Sequence, residues 1–90
     1  MPYSIAFAKQ AAKELGRLSD KVHNNVIEHL VQLEKTPRIF GSEKLSAINA
    51  YKLRVGNLRI VYEIDDRSKR VNVLIVDDRK QVYKRLKRKL

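Results

Sequence analysis

The stretch AYKLRVGNLRIVYEI, residues 50–64, restricts the fold more than any other part of the chain. Two alternating apolar–polar runs meet at Gly56-Asn57. A two-residue Gly-Asn connection suits the primed turns, whose twist matches that of paired strands. Counting outward sets the register: Val55 opposite Leu58, Arg54 opposite Arg59, Leu53 opposite Ile60, Lys52 opposite Val61 and Tyr51 opposite Tyr62. Side chains alternate between faces along a strand. One face of this hairpin therefore carries Tyr51, Leu53, Val55, Leu58, Ile60, Tyr62 and Ile64, and the other carries Lys52, Arg54, Arg59, Val61 and Glu63. A one-residue slip would turn the whole apolar set to water, which makes the register well specified.

That register has an unfavourable feature. Like charges directly opposite each other destabilise a strand pair, yet Arg54 faces Arg59 with Lys52 alongside. The plain reading is a solvated basic face. The alternative is an anion site, in which a phosphate between the two guanidinium groups reverses the sign of their interaction through paired, charge-assisted hydrogen bonds.

The rest of the chain supplies a cover for the apolar face. Residues 3–7 (YSIAF) alternate and predict a first strand. Ala8, Ala11, Ala12, Leu15 and Leu18 recur at helical spacing, and Gly16 weakens that helix near its end. Ser19 or Asp20 caps a second helix with an apolar stripe of Val22, Val26, Ile27, Leu30 and Leu33. Thr36-Pro37 stops it, because the residue before proline disfavours the α region. So short a turn predicts an antiparallel helical hairpin that needs a sheet beneath it. His23 and His29 are six apart on different faces, so they read as surface or partly buried residues rather than joint metal ligands.

Residues 37–49 read as an irregular connection with turn signals at Gly41 and Ser42, pinned to the core by Leu45 and Ile48. Residues 65–70 (DDRSKR) form a polar loop. Residues 71–76 (VNVLIV) are apolar on both faces apart from Asn72, the pattern of an interior strand. Residues 80–90 predict a short basic helix with Val82 and Leu86 on one side, too short to be stable undocked. The expected fold class is α+β, a single domain over residues 1–90. An N-terminal strand and helical hairpin pack on a small, mainly antiparallel sheet, followed by a short basic C-terminal helix.

The net charge of +10 is uneven. Up to Pro37 there are five basic and four acidic residues; from Arg38 onward there are fifteen and six. Concentration in one half points to a polyanionic partner such as nucleic acid. The absence of cysteine excludes a disulfide framework, a thiolate metal site and a cysteine nucleophile. With no leader pattern and no membrane-length apolar run, a soluble, cytoplasmic protein without a membrane partner is expected. There is no HExxH motif and no Gly-rich phosphate loop with a lysine. The adjacent pairs Asp65-Asp66 and Asp77-Asp78 suit a turn and a helix cap or local ion pairs better than a metal. No cofactor or metal is expected.

The segments EKLSAINAYKLRVGNLRIVYEI and VNVLIVDDRKQVYKRL resemble those of RelE toxins in the RelE/ParE superfamily, and the likeness spans nearly the whole chain. The resemblance implies a toxin of a type II toxin–antitoxin system, a metal-independent endoribonuclease that cleaves mRNA in the ribosomal A site and inhibits translation. The ribose 2′-OH would attack the adjacent phosphate, leaving a 2′,3′-cyclic phosphate. Family catalytic positions fall on Lys52, Arg54, Arg59, Arg79 and Tyr83. Arg54 and Arg59 would stabilise the transition-state charge. Lys52 would act as base, Arg79 would assist the leaving oxygen, and Tyr83 would stack on a base or orient the attack. Lys44, Lys80, Lys84 and Arg85 would contact RNA or the ribosome. Implied partners are a cognate antitoxin, RelB-like or of another acidic class, the ribosome with its mRNA, and operator DNA only through the antitoxin complex.

The chain shows three departures from the family pattern. Arg54 stands where some relatives have lysine, and arginine is a poor base because it stays protonated. Asp77-Asp78 replace a frequent Gly-His; these carboxylates would repel RNA or hold Arg79 in place. Ala47 replaces a glycine before the hairpin. The competing readings are a ParE-like inhibitor of DNA gyrase, a non-catalytic RNA-binding module, and a toxin silenced by Asp77-Asp78.

Overall fold

The computed structural model describes residues 2–39, 41–45, 50–78, 81–82 and 84–86. In chain order these form β1 (Ser4–Phe7), α1 (Lys9–Gly16), α2 (Asp20–Lys35), β2 (Ser42–Lys44), β3 (Tyr51–Val55), β4 (Leu58–Asp65) and β5 (Arg70–Asp78). Residues 81–82 and 84–86 are helical and belong to a short C-terminal tail helix. The five strands make one sheet in the order β1-β5-β4-β3-β2, parallel between β1 and β5 and antiparallel elsewhere. This is the α+β arrangement that the sequence pattern anticipates, a strand and helical hairpin on a small, mainly antiparallel sheet.

The helices start and stop for local reasons. Ser19 occupies the N-cap of α2 in an extended conformation, and its carbonyl accepts the His23 amide at 2.8 Å. Its side chain makes no capping bond. Asp20 in the first turn and Lys35 in the last complement the helix dipole. Thr36 ends the helix at φ −140° and ψ 87°, outside the α region that Pro37 disfavours for its predecessor. His29 donates from Nδ1 to the Asn25 carbonyl one turn back, at 2.8 Å.

The helical hairpin covers one face of the sheet. Ala11 and Leu15 of α1 and Val26, Leu30 and Leu33 of α2 pack on Leu53, Val55, Ile60, Tyr62, Ile64, Val71, Val73 and Val76. Tyr62 is fully buried there, and its hydroxyl donates to the Pro37 carbonyl at 2.8 Å, so burial leaves no orphaned polar group. The opposite face carries a second, smaller core: Ala50, Val61 and Ile75 beneath Val82 and Leu86 of the tail helix. Val61, on the polar face of the hairpin, is fully buried because the tail helix lies over it.

Two features differ from the sequence expectation. The connection after α2 is not wholly irregular: Ser42–Lys44 add a three-residue edge strand beside β3. Leu45 of this connection packs against the smaller core, while Ile48 and Ala47 lie outside the described residues. The β4–β5 ladder also shifts register between Val61 and Tyr62. Tyr62 pairs with Val73, but Val61 pairs with Ile75, so Leu74 is the extra residue of a bulge. Leu74 and Ile75 both pack in the smaller core, while Val73 and Val76 stay on the helical side. Unbroken alternation cannot place both of these valines on one face.

Candidate active site

The hairpin register agrees with the turn count at all five positions, including Arg54 opposite Arg59. Gly56 adopts φ 60°, whereas Asn57 is not among the positive-φ residues. This is the type II′ pattern, which requires glycine at its first central position. The turn therefore locks the two arginines against each other.

Lys52, Arg54 and Arg59 share one face of the sheet. The Arg54 side chain is exposed, and its Nε donates to the Gly56 carbonyl at 3.4 Å. Arg59 is half-buried, with Nη1 donating to the Leu58 carbonyl at 3.1 Å. Among the described residues neither guanidinium has a carboxylate within ion-pair distance. Lys52 is more enclosed, with 17% of its side chain exposed, and its ammonium lies 3.6 Å from Glu43 on the edge strand. Sequence reading passes over Glu43 because it passes over β2, whose three residues carry no apolar alternation.

The bulge decides which residue stands across from Arg59. Continuing the Tyr62–Val73 register without it would set Val76 there; with it, Asp77 occupies that place. Asp77 and Asp78 then do separate things. Asp78 Oδ1 accepts the Gln81 amide at 2.9 Å, capping the tail helix. Asp77 Oδ1 accepts the Asp78 amide at 2.8 Å, and its Oδ2 lies 3.5 Å from Arg85 Nη1.

Arg85 binds a second carboxylate, Glu14 of α1, which comes from the other side of the sheet. Strand β1 pairs with β5 only as far as Val73, so among the described residues the edge of β5 beyond it lacks a strand partner there. Glu14 Oε1 takes the Val76 amide at 3.5 Å, while Oε2 takes Arg85. Burial pushes the Glu14 carboxyl up from its usual value, against the opposing pull of Arg85. No sequence signal links Glu14 to this place; it is 71 residues from Arg85.

The sequence-predicted residues thus fall into four groups. Lys52, Arg54 and Arg59 are together, with the tail helix on the same face of the sheet. Lys84 is exposed on that helix, and Arg85 is half-buried in its ion pairs. Lys44 pairs with Tyr51, which puts it on the helical-hairpin side, away from the other cations. Arg79, Lys80 and Tyr83 lie outside the described residues.

A family model described as the ParE toxin of type II toxin–antitoxin systems, parDE, matches residues 5–83. Toxin RelG of Mycobacterium tuberculosis is 30% identical over 87 residues, covering 94% of this chain and 100% of that protein. The chain is a RelE-type toxin of the RelE/ParE superfamily. Another RelE-type relative, the mRNA interferase toxin RelE of Escherichia coli, is 31% identical over 87 residues, with 92% of each chain covered. Among solved structures, a doubly substituted E. coli RelE in the free state has a TM-score of 0.79 at 32% identity, with 100% of both chains covered. The toxin of the RelBE2 toxin–antitoxin complex of M. tuberculosis has a TM-score of 0.76 at 28% identity, covering 88% of this chain and 100% of that one.

Proposed function

We propose that this RelE-type toxin is an endoribonuclease that cleaves mRNA in the ribosomal A site and so inhibits translation. The observation that carries the reading is the facing pair Arg54–Arg59, with no carboxylate partner among the described residues, in a chain akin to the E. coli mRNA interferase. Two guanidinium forks on one face suit the oxygens of a phosphate, and preorganised cations favour the transition state in which phosphoryl charge peaks.

In this reading the 2′-oxygen bonds to phosphorus as the bond to the 5′-oxygen breaks, giving a 2′,3′-cyclic phosphate and a 5′-OH end. Arg54 and Arg59 stabilise the charge on the non-bridging oxygens. Lys52, once deprotonated to the amine, takes the 2′-OH proton; the departing 5′-oxygen takes a proton from water while Arg79 stabilises its charge; and Tyr83 stacks on a base or orients the attack. This donor set is cationic, which suits a reaction run without a metal ion. Lys44, Lys80 and Lys84 serve as RNA or ribosome contacts. An acidic cognate antitoxin holds the toxin silent in the cytoplasm and supplies the DNA contacts at the operator; the M. tuberculosis neighbour was solved as a toxin–antitoxin complex.

Incubation with programmed ribosomes, followed by mapping of mRNA ends, tests the reading. Discrete A-site cuts that vanish in Arg59→Ala support it. The description of the matched family model favours one second reading, inhibition of DNA gyrase by a ParE-like toxin. Intact mRNA together with blocked gyrase supercoiling would establish that reading instead.

A further inference from the structure

Directly opposed residues on one sheet face have Cβ atoms about 5 Å apart, within reach of a guanidinium–carboxylate pair. Arg59 and Asp77 are such a pair in the β4–β5 ladder. Yet the Asp77 carboxylate lies 3.5 Å from Arg85 of the tail helix, and Arg59 donates to its neighbour's carbonyl. Among the described residues Asp77 thus has Arg59 and Arg85 near it, and it takes the one that comes from the tail.

Glu14 explains the choice. Only 11% of its side chain is exposed, and a carboxylate so enclosed is costly without a cation. Among the described residues, Arg85 is the cation that reaches it. Once anchored there, the same guanidinium nitrogen lies against Asp77.

We propose that Arg85 is a positioning residue: anchored on Glu14, it draws the Asp77 carboxylate away from Arg59 and leaves the Arg54–Arg59 pair open to the scissile phosphate. Without Arg85, Asp77 turns to Arg59 and neutralises it. This inference rests on the proposed cleavage reaction, and it gives Arg85 a task other than touching RNA. It also gives the Asp77 substitution a meaning: the chain carries an internal competitor for its own phosphate site, together with the residue that restrains it.

The test compares full-length toxin, Arg85→Ala, and Arg85→Ala/Asp77→Asn on programmed ribosomes. Arg85→Ala lowers kcat/KM by roughly tenfold or more, the scale of one charge-assisted contact. Asp77→Asn in the same background recovers most of the loss. An unchanged Arg85→Ala overturns the proposal, and so does a loss that Asp77→Asn leaves in place, since that means only that the tail has come off. A second readout does not depend on cleavage: the Arg59 Nε–H resonance shifts in Arg85→Ala and returns in the double variant. Absence of that shift also overturns the proposal. If the shift is seen while wild-type toxin cuts nothing, the cleavage reading fails and the placement of Asp77 stands.

Discussion

Arginines at the two ends of this sheet live in opposite circumstances. At the end near the β4–β5 loop, Arg38 meets Asp66 through two hydrogen bonds of 3.2 and 2.9 Å. Its Nε donates to the Tyr51 hydroxyl at 3.1 Å, and its guanidinium lies 5.6 Å from the centre of the Tyr51 ring. Tyr51 in turn stacks on Tyr62 at 5.9 Å, and the Tyr3 hydroxyl donates to Asp66 at 2.6 Å. At the hairpin end, Arg54 and Arg59 face each other with only carbonyl partners among the described residues. Both ends are basic and both are at least partly exposed. The first spends its donors on the protein and ties the segment after α2 to the loop; the second keeps most of its donors for something else. Net charge does not separate these two cases, whereas the partners of each guanidinium do.

The largest test of this contrast is Arg59→Ala, which should cost about 10²–10³-fold in mRNA cleavage, the scale of losing one oxyanion donor. Its chemical unfolding midpoint should hold steady or rise, since a repelling cross-strand pair is removed. Arg38→Ala should do the reverse, lowering the melting temperature while cleavage by the folded fraction persists. A smaller effect comes with acid. The Arg38 guanidinium, then the Tyr3 hydroxyl, hold Asp66 at about 2, against an ordinary 3.8. A folded value below the unfolded one means that the stabilisation is complete above pH 3.8 and is lost as pH falls towards 2. The gap in melting temperature between wild type and Arg38→Ala should therefore narrow across that window to what the Tyr51 contacts of Arg38 supply; a gap unchanged between about pH 6 and pH 2 would break the assignment. Smallest of all, replacing chloride by phosphate at equal ionic strength should raise the wild-type melting temperature by a few degrees. Arg54→Ala/Arg59→Ala should lose that response and Arg38→Ala should keep it.

Much of this molecule is readable from short-range pattern. The Gly56-Asn57 turn sets five strand pairs, Thr36-Pro37 ends α2, and the two-sided apolar run after Arg70 announces an interior strand. The loop after β4 also forms as its composition suggests, with Asp65 Oδ1 accepting the amides of Arg67 and Ser68 at 3.0 and 3.2 Å. In each case the deciding interactions lie within a few residues or repeat along a single element. The edge strand β2 escapes because three polar residues give no period to read; its pairing comes from the backbone of β3. The bulge escapes because Val73, Leu74, Ile75 and Val76 are all apolar, so sequence alone does not say where alternation breaks.

The sequence by itself determined that Arg54 stands against Arg59, because a tight turn and alternating side chains allow one register. The tertiary structure decided which cations are already matched. It set Arg38 on Asp66, Lys52 beside Glu43 and Arg85 between Glu14 and Asp77, through contacts spanning 28, 9 and up to 71 positions in the chain. Ion pairs of that range depend on how helices and strands pack around the sheet, and no local period encodes them.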